Sequence, residues 1–164
     1  MEYQKSNTIC DYVELHFQDA SVSNNEMTWN IPNTYFSNLR SPIAEVCLVE
    51  SSVDTSVNVN LNVKWLGSVH NGYNSRNRGL IMGHLIRNFD GGTTTKYYLR
   101  ETSSIKIITP ARPQTITLSV VTPDDVTAEI SSNGFFTLKF EYLDPVAVVE
   151  DLTNTRYGRG LMMM

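Results

Sequence analysis

Hydrophobic and polar positions alternate along most of this chain, and the alternation predicts β-strands. Ile116, Leu118 and Val120 alternate with Thr115, Thr117 and Ser119, and Phe136, Leu138, Phe140 and Tyr142 alternate with Thr137, Lys139 and Glu141. Side chains on a strand point to opposite faces with a period of two, so each run has one apolar and one polar face. Two such runs this close in sequence read as parts of a sheet that needs a partner layer. Thr122-Pro123-Asp124-Asp125 stops the first run, because Pro123 cannot donate to a ladder and Asp favours turns. Ser131-Ser132-Asn133-Gly134 reads as the turn before the second, with Gly134 free to take a positive φ. Residues 126–130 leave room for a short strand between them.

The rest of the chain supplies further strands. Ile9, Asp11, Val13, Leu15 and Phe17 share one face of a first strand, and Met27, Trp29 and Ile31 form a second that ends at Pro32. Residues 43–50 are rich in β-branched side chains and predict a third. Val57, Val59, Leu61, Val63 and Trp65 alternate in perfect register with polar residues and predict a fourth. Residues 79–87 read as a strand in preference to a helix. The turn signal Asp90-Gly91-Gly92 leads into a strand over 96–100. Another follows over 104–109, with Ile105 and Ile107 facing in, and Pro110 and Pro113 bracket a bend. Residues 19–25, 33–41 and 67–78 read as loops, the last being the longest irregular piece. About eight to ten strands with Gly and Pro turns predict an all-β fold. The expected architecture is an antiparallel β-sandwich, specifically a single eight-stranded jelly roll. The expected domain is 1–149, with 150–164 as a C-terminal arm or tail.

Composition narrows this picture. A chain of 164 residues with 41% hydrophobic and 18% charged residues suits one domain with a sizeable core. The formal charge of −4 gives no signal for nucleic-acid binding. Cys10 and Cys47 make no disulfide framework, and each reads as a small buried hydrophobe. The chain has no Asn-x-Ser/Thr sequon, no opening signal peptide, and no apolar run near the ~20 residues of a membrane span. A reducing compartment is the expectation.

Candidate chemistry is sparse. The histidines His16, His70 and His84 are scattered, with no His-Glu-x-x-His, Cys-x-x-Cys, Gly-x-Ser-x-Gly or P-loop pattern, and the acidic residues fall mostly in turns. The expectation is a non-enzyme with no metal, no cofactor and no catalytic residue. Contact chemistry is better represented. Tyr73, Arg76 and Arg78 lie in the long loop, where guanidinium groups can meet a partner's carboxylates. The tail carries Arg156, Tyr157, Arg159 and the flexible apolar run Leu161, Met162, Met163 and Met164, which suits a neighbour's groove. The plainer accounts are a solvated loop and a frayed terminus. Tyr35, Phe36, Tyr73, Tyr97 and Tyr98 raise the alternative of a sugar site, although Tyr97 and Tyr98 must point to opposite faces of one strand.

One stretch resembles a known family. Pro110-Ala111-Arg112-Pro113 leading into Thr115-Ile116-Thr117-Leu118-Ser119-Val120, an Asp-containing turn, and then Phe135-Phe136-Thr137-Leu138-Lys139-Phe140-Glu141-Tyr142 is similar to the C-terminal part of single jelly-roll minor capsid and penton-type proteins. Those proteins belong to large DNA viruses with double-jelly-roll major capsids, and to their relatives. The resemblance implies a structural, non-catalytic role in a virion assembled inside the infected cell. It also implies contacts with major and minor capsid proteins through loops and terminal arms, and a homo-pentamer if the protein sits at a vertex. The competing expectation is a carbohydrate- or ligand-binding β-sandwich module.

Overall fold

The structure, a computed structural model, describes residues 9–23, 26–38, 40–57, 59–66, 80–88, 95–109 and 112–143. It is all-β. The strands are β1 (Cys10–His16), β2 (Ser21–Ser23), β3 (Glu26–Asn30), β4 (Ile43–Thr55), β5 (Leu61–Trp65), β6 (Leu80–Asn88), β7 (Thr95–Thr102), β8 (Ser104–Thr109), β9 (Thr115–Val121) and β10 (Ile130–Tyr142). Phe17–Asp19 and Asn33–Tyr35 form single 3-10 turns.

All described pairings are antiparallel, in the order β1-β10-β4-β7-β6-β5-β9-β3-β2, with β8 also on β4. One layer is β1-β10-β4 with β7 and β8, and the other is β3-β9-β5-β6. The chain crosses between layers from β1 to β2, β3 to β4, β4 to β5, β6 to β7, β8 to β9 and β9 to β10, while β2-β3, β5-β6 and β7-β8 each stay within one, a jelly-roll-like order. β7 pairs with both β4 and β6 and joins the layers along one side. The two runs around residues 115–142 therefore lie in different layers: β9 pairs with β3 and β5, whereas β10 pairs with β1 and β4.

The core fills the space between the layers. Phe17 packs on Phe136 with ring centroids 4.8 Å apart, and Trp29 meets Phe136 edge-on at 6.3 Å. Phe36 meets Phe140 edge-on at 5.3 Å. Aromatic pairs in such tilted geometries gain about 0.5–1.5 kcal/mol beyond their burial. The Trp29 indole Nε1–H donates to the His16 carbonyl at 2.7 Å, which fastens β3 to the end of β1 across the seam.

Several elements depart from the alternation. β4 is thirteen residues long, and pairing with β10 skips Val49 and Ala44. Each bulge shifts the inward phase, so Ile43, Val46, Leu48, Ser51, Val53 and Thr55 are all buried. Because two of these are polar, the second half of β4 shows no apolar period. The fourth predicted strand is shorter than expected: β5 starts at Leu61, Val57 is half-buried outside it, and Val59 is exposed. Residues 126–130 form only a bridge, Val121 to Thr127, before β10 begins. The residues read as a turn at 131–134 belong to β10, bent by a register shift between Ile130 and Gly134. The ten strands fall within the expected eight to ten but exceed the eight of a single jelly roll: Ser21–Ser23 adds an exposed rim strand that was not expected, and β8, expected over 104–109, lies on β4 beyond β7. Cys10 and Cys47 are free, but they are half-buried rather than buried, because they fall on the outward phase of their strands. Residues 67–78, 89–94 and 144–164, including the predicted tail and its boundary, lie outside the described residues, as does the side chain of Ile107.

Among the described residues, Gly134 is the one whose positive φ demands glycine. Its φ is +145°, and an added Cβ would sit 2.4 Å from the Ser52 carbonyl oxygen and 2.6 Å from the Phe17 ring. Gly134→Ala is therefore expected to destabilise the fold by about 2–4 kcal/mol, from backbone strain and overpacking together. Urea unfolding of the variant checks this.

Candidate assembly surface

The strand order gathers particular segments at one end of the sandwich. β3 leaves through Asn30 beside Thr115, and Ile31 N–H donates to the Gln114 carbonyl at 2.8 Å. The connection through the Asn33–Tyr35 turn returns to β4 at Ile43, opposite Tyr142. Tyr142 N–H donates to the Ile9 carbonyl at 3.2 Å, and Leu143 N–H to the Pro42 carbonyl at 2.9 Å. Leu66 N–H donates to the Thr117 carbonyl at 2.9 Å, and Trp65 pairs with Leu80. The points where the chain enters at Ile9, exits at Leu143, and leaves and rejoins around residues 67–79 thus share one end.

A polar network holds that end. Asp11 lies on the face of β1 that also carries buried Val13 and Leu15. It accepts from the Ser37 backbone N–H at 2.8 Å, from the Ser37 hydroxyl, and from the Tyr142 phenol. The Arg112 guanidinium donates to the Ser41 carbonyl at 2.7 Å and to the Asn38 carbonyl. It also lies 4.9 Å from the Tyr142 ring centroid and 5.8 Å from that of Phe36. Both bonds leave one terminal nitrogen while the planar guanidinium stays over the two rings, and a compact ammonium has no planar group to stack there. Asn38 Oδ1 in turn accepts from the backbone N–H groups of Arg40 and Ser41 at 3.0 and 3.1 Å.

The network sets the charge states. Burial pushes the Asp11 carboxyl up, but the donors from Ser37, Tyr142 and the Asn38 backbone together outweigh it, so the group titrates below its ordinary value. Burial, followed by the bond to Asp11, pushes the Tyr142 phenol well up, with Arg112 acting in the opposite sense. Asp11 is therefore an acceptor and Tyr142 a donor throughout the neutral range.

The sequence-predicted contact residues are not among the described residues, and only the chain points that flank them are placed, at this end. Tyr73, Arg76 and Arg78 lie between Leu66 and Leu80, and Arg156, Tyr157, Arg159, Leu161, Met162, Met163 and Met164 follow Leu143; all ten are outside the described residues. Of the predicted aromatic set, Phe36 and Tyr97 are buried in the core, while Tyr35 and Tyr98 are exposed. Sequence reasoning misses the role of Arg112, which it has only in the bend between Pro110 and Pro113 and in the stretch that carries the family resemblance. The available signal was Asp11, a charged residue in the inward phase of an otherwise apolar run. Among the described residues, no three His, Cys, Asp or Glu side chains are placed to hold a metal ion, and no helix is long and apolar enough to cross a membrane.

Comparison with protein-family models, with curated proteins and with solved structures finds no match.

Two predictions concern the network. Arg112→Lys is expected to lose most of the side chain's contribution, about 2 kcal/mol, because it keeps the charge but not the planar stacking that holds the donor nitrogen against both carbonyls; denaturant unfolding beside Arg112→Ala measures the share retained. Asp11 has a folded value below its unfolded one, so its contribution is complete above about pH 4 and is lost as the pH falls through the folded value. The stability gap between wild type and Asp11→Asn, about 1 kcal/mol at neutral pH, is expected to close under acid. Urea titrations across that range check the sign.

Proposed function

We propose that this chain is a structural capsid protein, of minor capsid or penton type, that assembles with other capsid subunits through one end of its jelly roll. The observation that carries this reading is a shared end: Ile9, Leu143, Leu66 and Leu80, the described residues that flank the terminal segments and the long loop, all lie at the end of the sandwich that the Arg112 network occupies. Three segments anchored together can engage neighbours as one surface, and linking several contacts multiplies avidity without improving any single one. The family resemblance adds support, because its residues form β9 and β10, inner strands of the two layers. In this reading the core carries the fold, Arg112 and Asp11 hold the contact end in shape, and the Arg-, Tyr- and Met-bearing segments bind the neighbours.

The test is assembly. Light scattering after size exclusion is expected to give a discrete oligomer, a pentamer for a vertex protein, or a monomer that joins particles only beside major capsid subunits. Deleting residues 150–164 is expected to abolish co-sedimentation with virus-sized particles while leaving the unfolding midpoint unchanged. Full assembly by the truncated protein, together with full assembly by a Tyr73→Ala, Arg76→Ala, Arg78→Ala variant, would overturn the reading.

A further inference from the structure

We propose that the outer face of the β1-β10-β4-β7 layer carries a binding site for a neutral pyranose sugar, independent of the assembly end. The site arises where two strands part. β4 pairs with β7 from Thr55 to Ser52, and with β8 from Cys47 onward. Between these ladders β7 turns away to follow β6, leaving a groove of about 530 Å³ lined by Glu50, Ser52, Tyr98, Arg100, Thr102 and Phe135, among others.

Two β-bulges flank this gap. Pairing of β4 with β10 skips Val49, and pairing of β6 with β7 skips Arg100. Bulges re-aim side chains and are over-represented beside sites. In the groove lining, Ser51 is 3% exposed and its hydroxyl has no hydrogen-bond partner, which is a costly state for a buried polar atom. A row containing three aromatic rings, interrupted by Ser52, runs across the same face. His16, Phe135, Ser52, Tyr98 and Ile86 stand in one register across five strands, with the His16 and Phe135 rings 6.1 Å apart. Tyr98 is 41% exposed, whereas its neighbour Tyr97 is fully buried.

The chemistry of the lining selects the occupant. A wholly apolar ligand would strip water from the Glu50 carboxylate and the Arg100 guanidinium without replacing it. An anion would face Glu50, and a cation would face Arg100. A pyranose avoids all three penalties: its C–H face stacks on Tyr98 and Phe135, and its hydroxyls both donate to Glu50 and accept from Arg100, Ser52 and Thr102. Arg100 remains available for this, since its ion pair with Glu101 is long, at 3.9 Å, and exposed on both sides.

Saturation-transfer NMR on the full chain tests the site, using the methyl β-glycosides of glucose, galactose and N-acetylglucosamine as probes. At least one is expected to receive saturation, strongest at its ring C–H protons. Tyr98→Ala is expected to weaken the response about five-fold or more, the worth of one stacked ring. Tyr98→Phe should retain it, and Thr28→Ala, on the outer face of the other layer, should leave it unchanged. No response from any of the three sugars would overturn the proposal, and so would a response equal in Tyr98→Ala and Thr28→Ala. Neither result touches the assembly reading, whose test reads residues 150–164 and the long loop.

Discussion

The pairing of β4 with β10 is the constraint on which the rest of the structure depends. Both strands are thirteen residues long, and each continues past the length of an ordinary strand because bulges let it bend around the core. β1 hangs on the free edge of β10, and β7 and β8 hang successively on the free edge of β4. The bend at Gly134 brings Phe136 over Phe17 and Trp29, which couples this layer to the other. Without the bulges at Ala44 and Val49, the inward faces of β4 and β10 would fall out of phase within a few residues.

The chemically distinctive places lie where ladders stop. At one end of the sandwich β1, β10 and the connection from β3 to β4 come together with no further strand to pair; Asp11 and Arg112 satisfy backbone groups left there, and the Tyr142 phenol donates to the Asp11 carboxylate. On the outer face, the divergence of β4 and β7 opens a groove instead. The first place is closed by hydrogen bonds between side chains and backbone. The second is open, aromatic and rimmed with hydrogen-bonding groups. At the far end the turn after β9 is held differently. Lys64, only 6% exposed, pairs with Asp125, which takes a positive φ of 66°.

Much of the fold was legible in the sequence because one face of each strand is buried. β1, β3, β9 and the second half of β10 keep alternation in sequence, and their predicted inward residues are buried apart from Ile9 and Asp11, although Ser119 and Val121 of β9 are buried as well. What was not legible follows from physics that a period of two does not carry. Bulges hid the second half of β4, and Ser51 and Thr55 occupy core positions there without apolar side chains. Val57 and Val59 extend the alternation of β5 into chain that is not strand, since a pattern records side-chain character and not ladder partners. β2 buries none of its side chains and so left no pattern. The groove was invisible because its residues come from three strands joined only by pairing, although the opposition of Tyr97 and Tyr98 was legible and holds. At the assembly end, Asp11 stood in the inward phase as a visible anomaly, whereas the role of Arg112 depends on carbonyls contributed by residues 38 and 41.

The central claim is that neighbours engage one end of the jelly roll. Photo-crosslinking from single sites in assembled protein tests it most directly. Tyr35 belongs to the connection at the assembly end and is 60% exposed, while Val126 follows the turn at the opposite end and is 61% exposed. With a photoreactive phenylalanine analogue at each position in turn, the account predicts intermolecular crosslinks from position 35 and none from position 126. Crosslinks from position 126 with none from position 35 would contradict it.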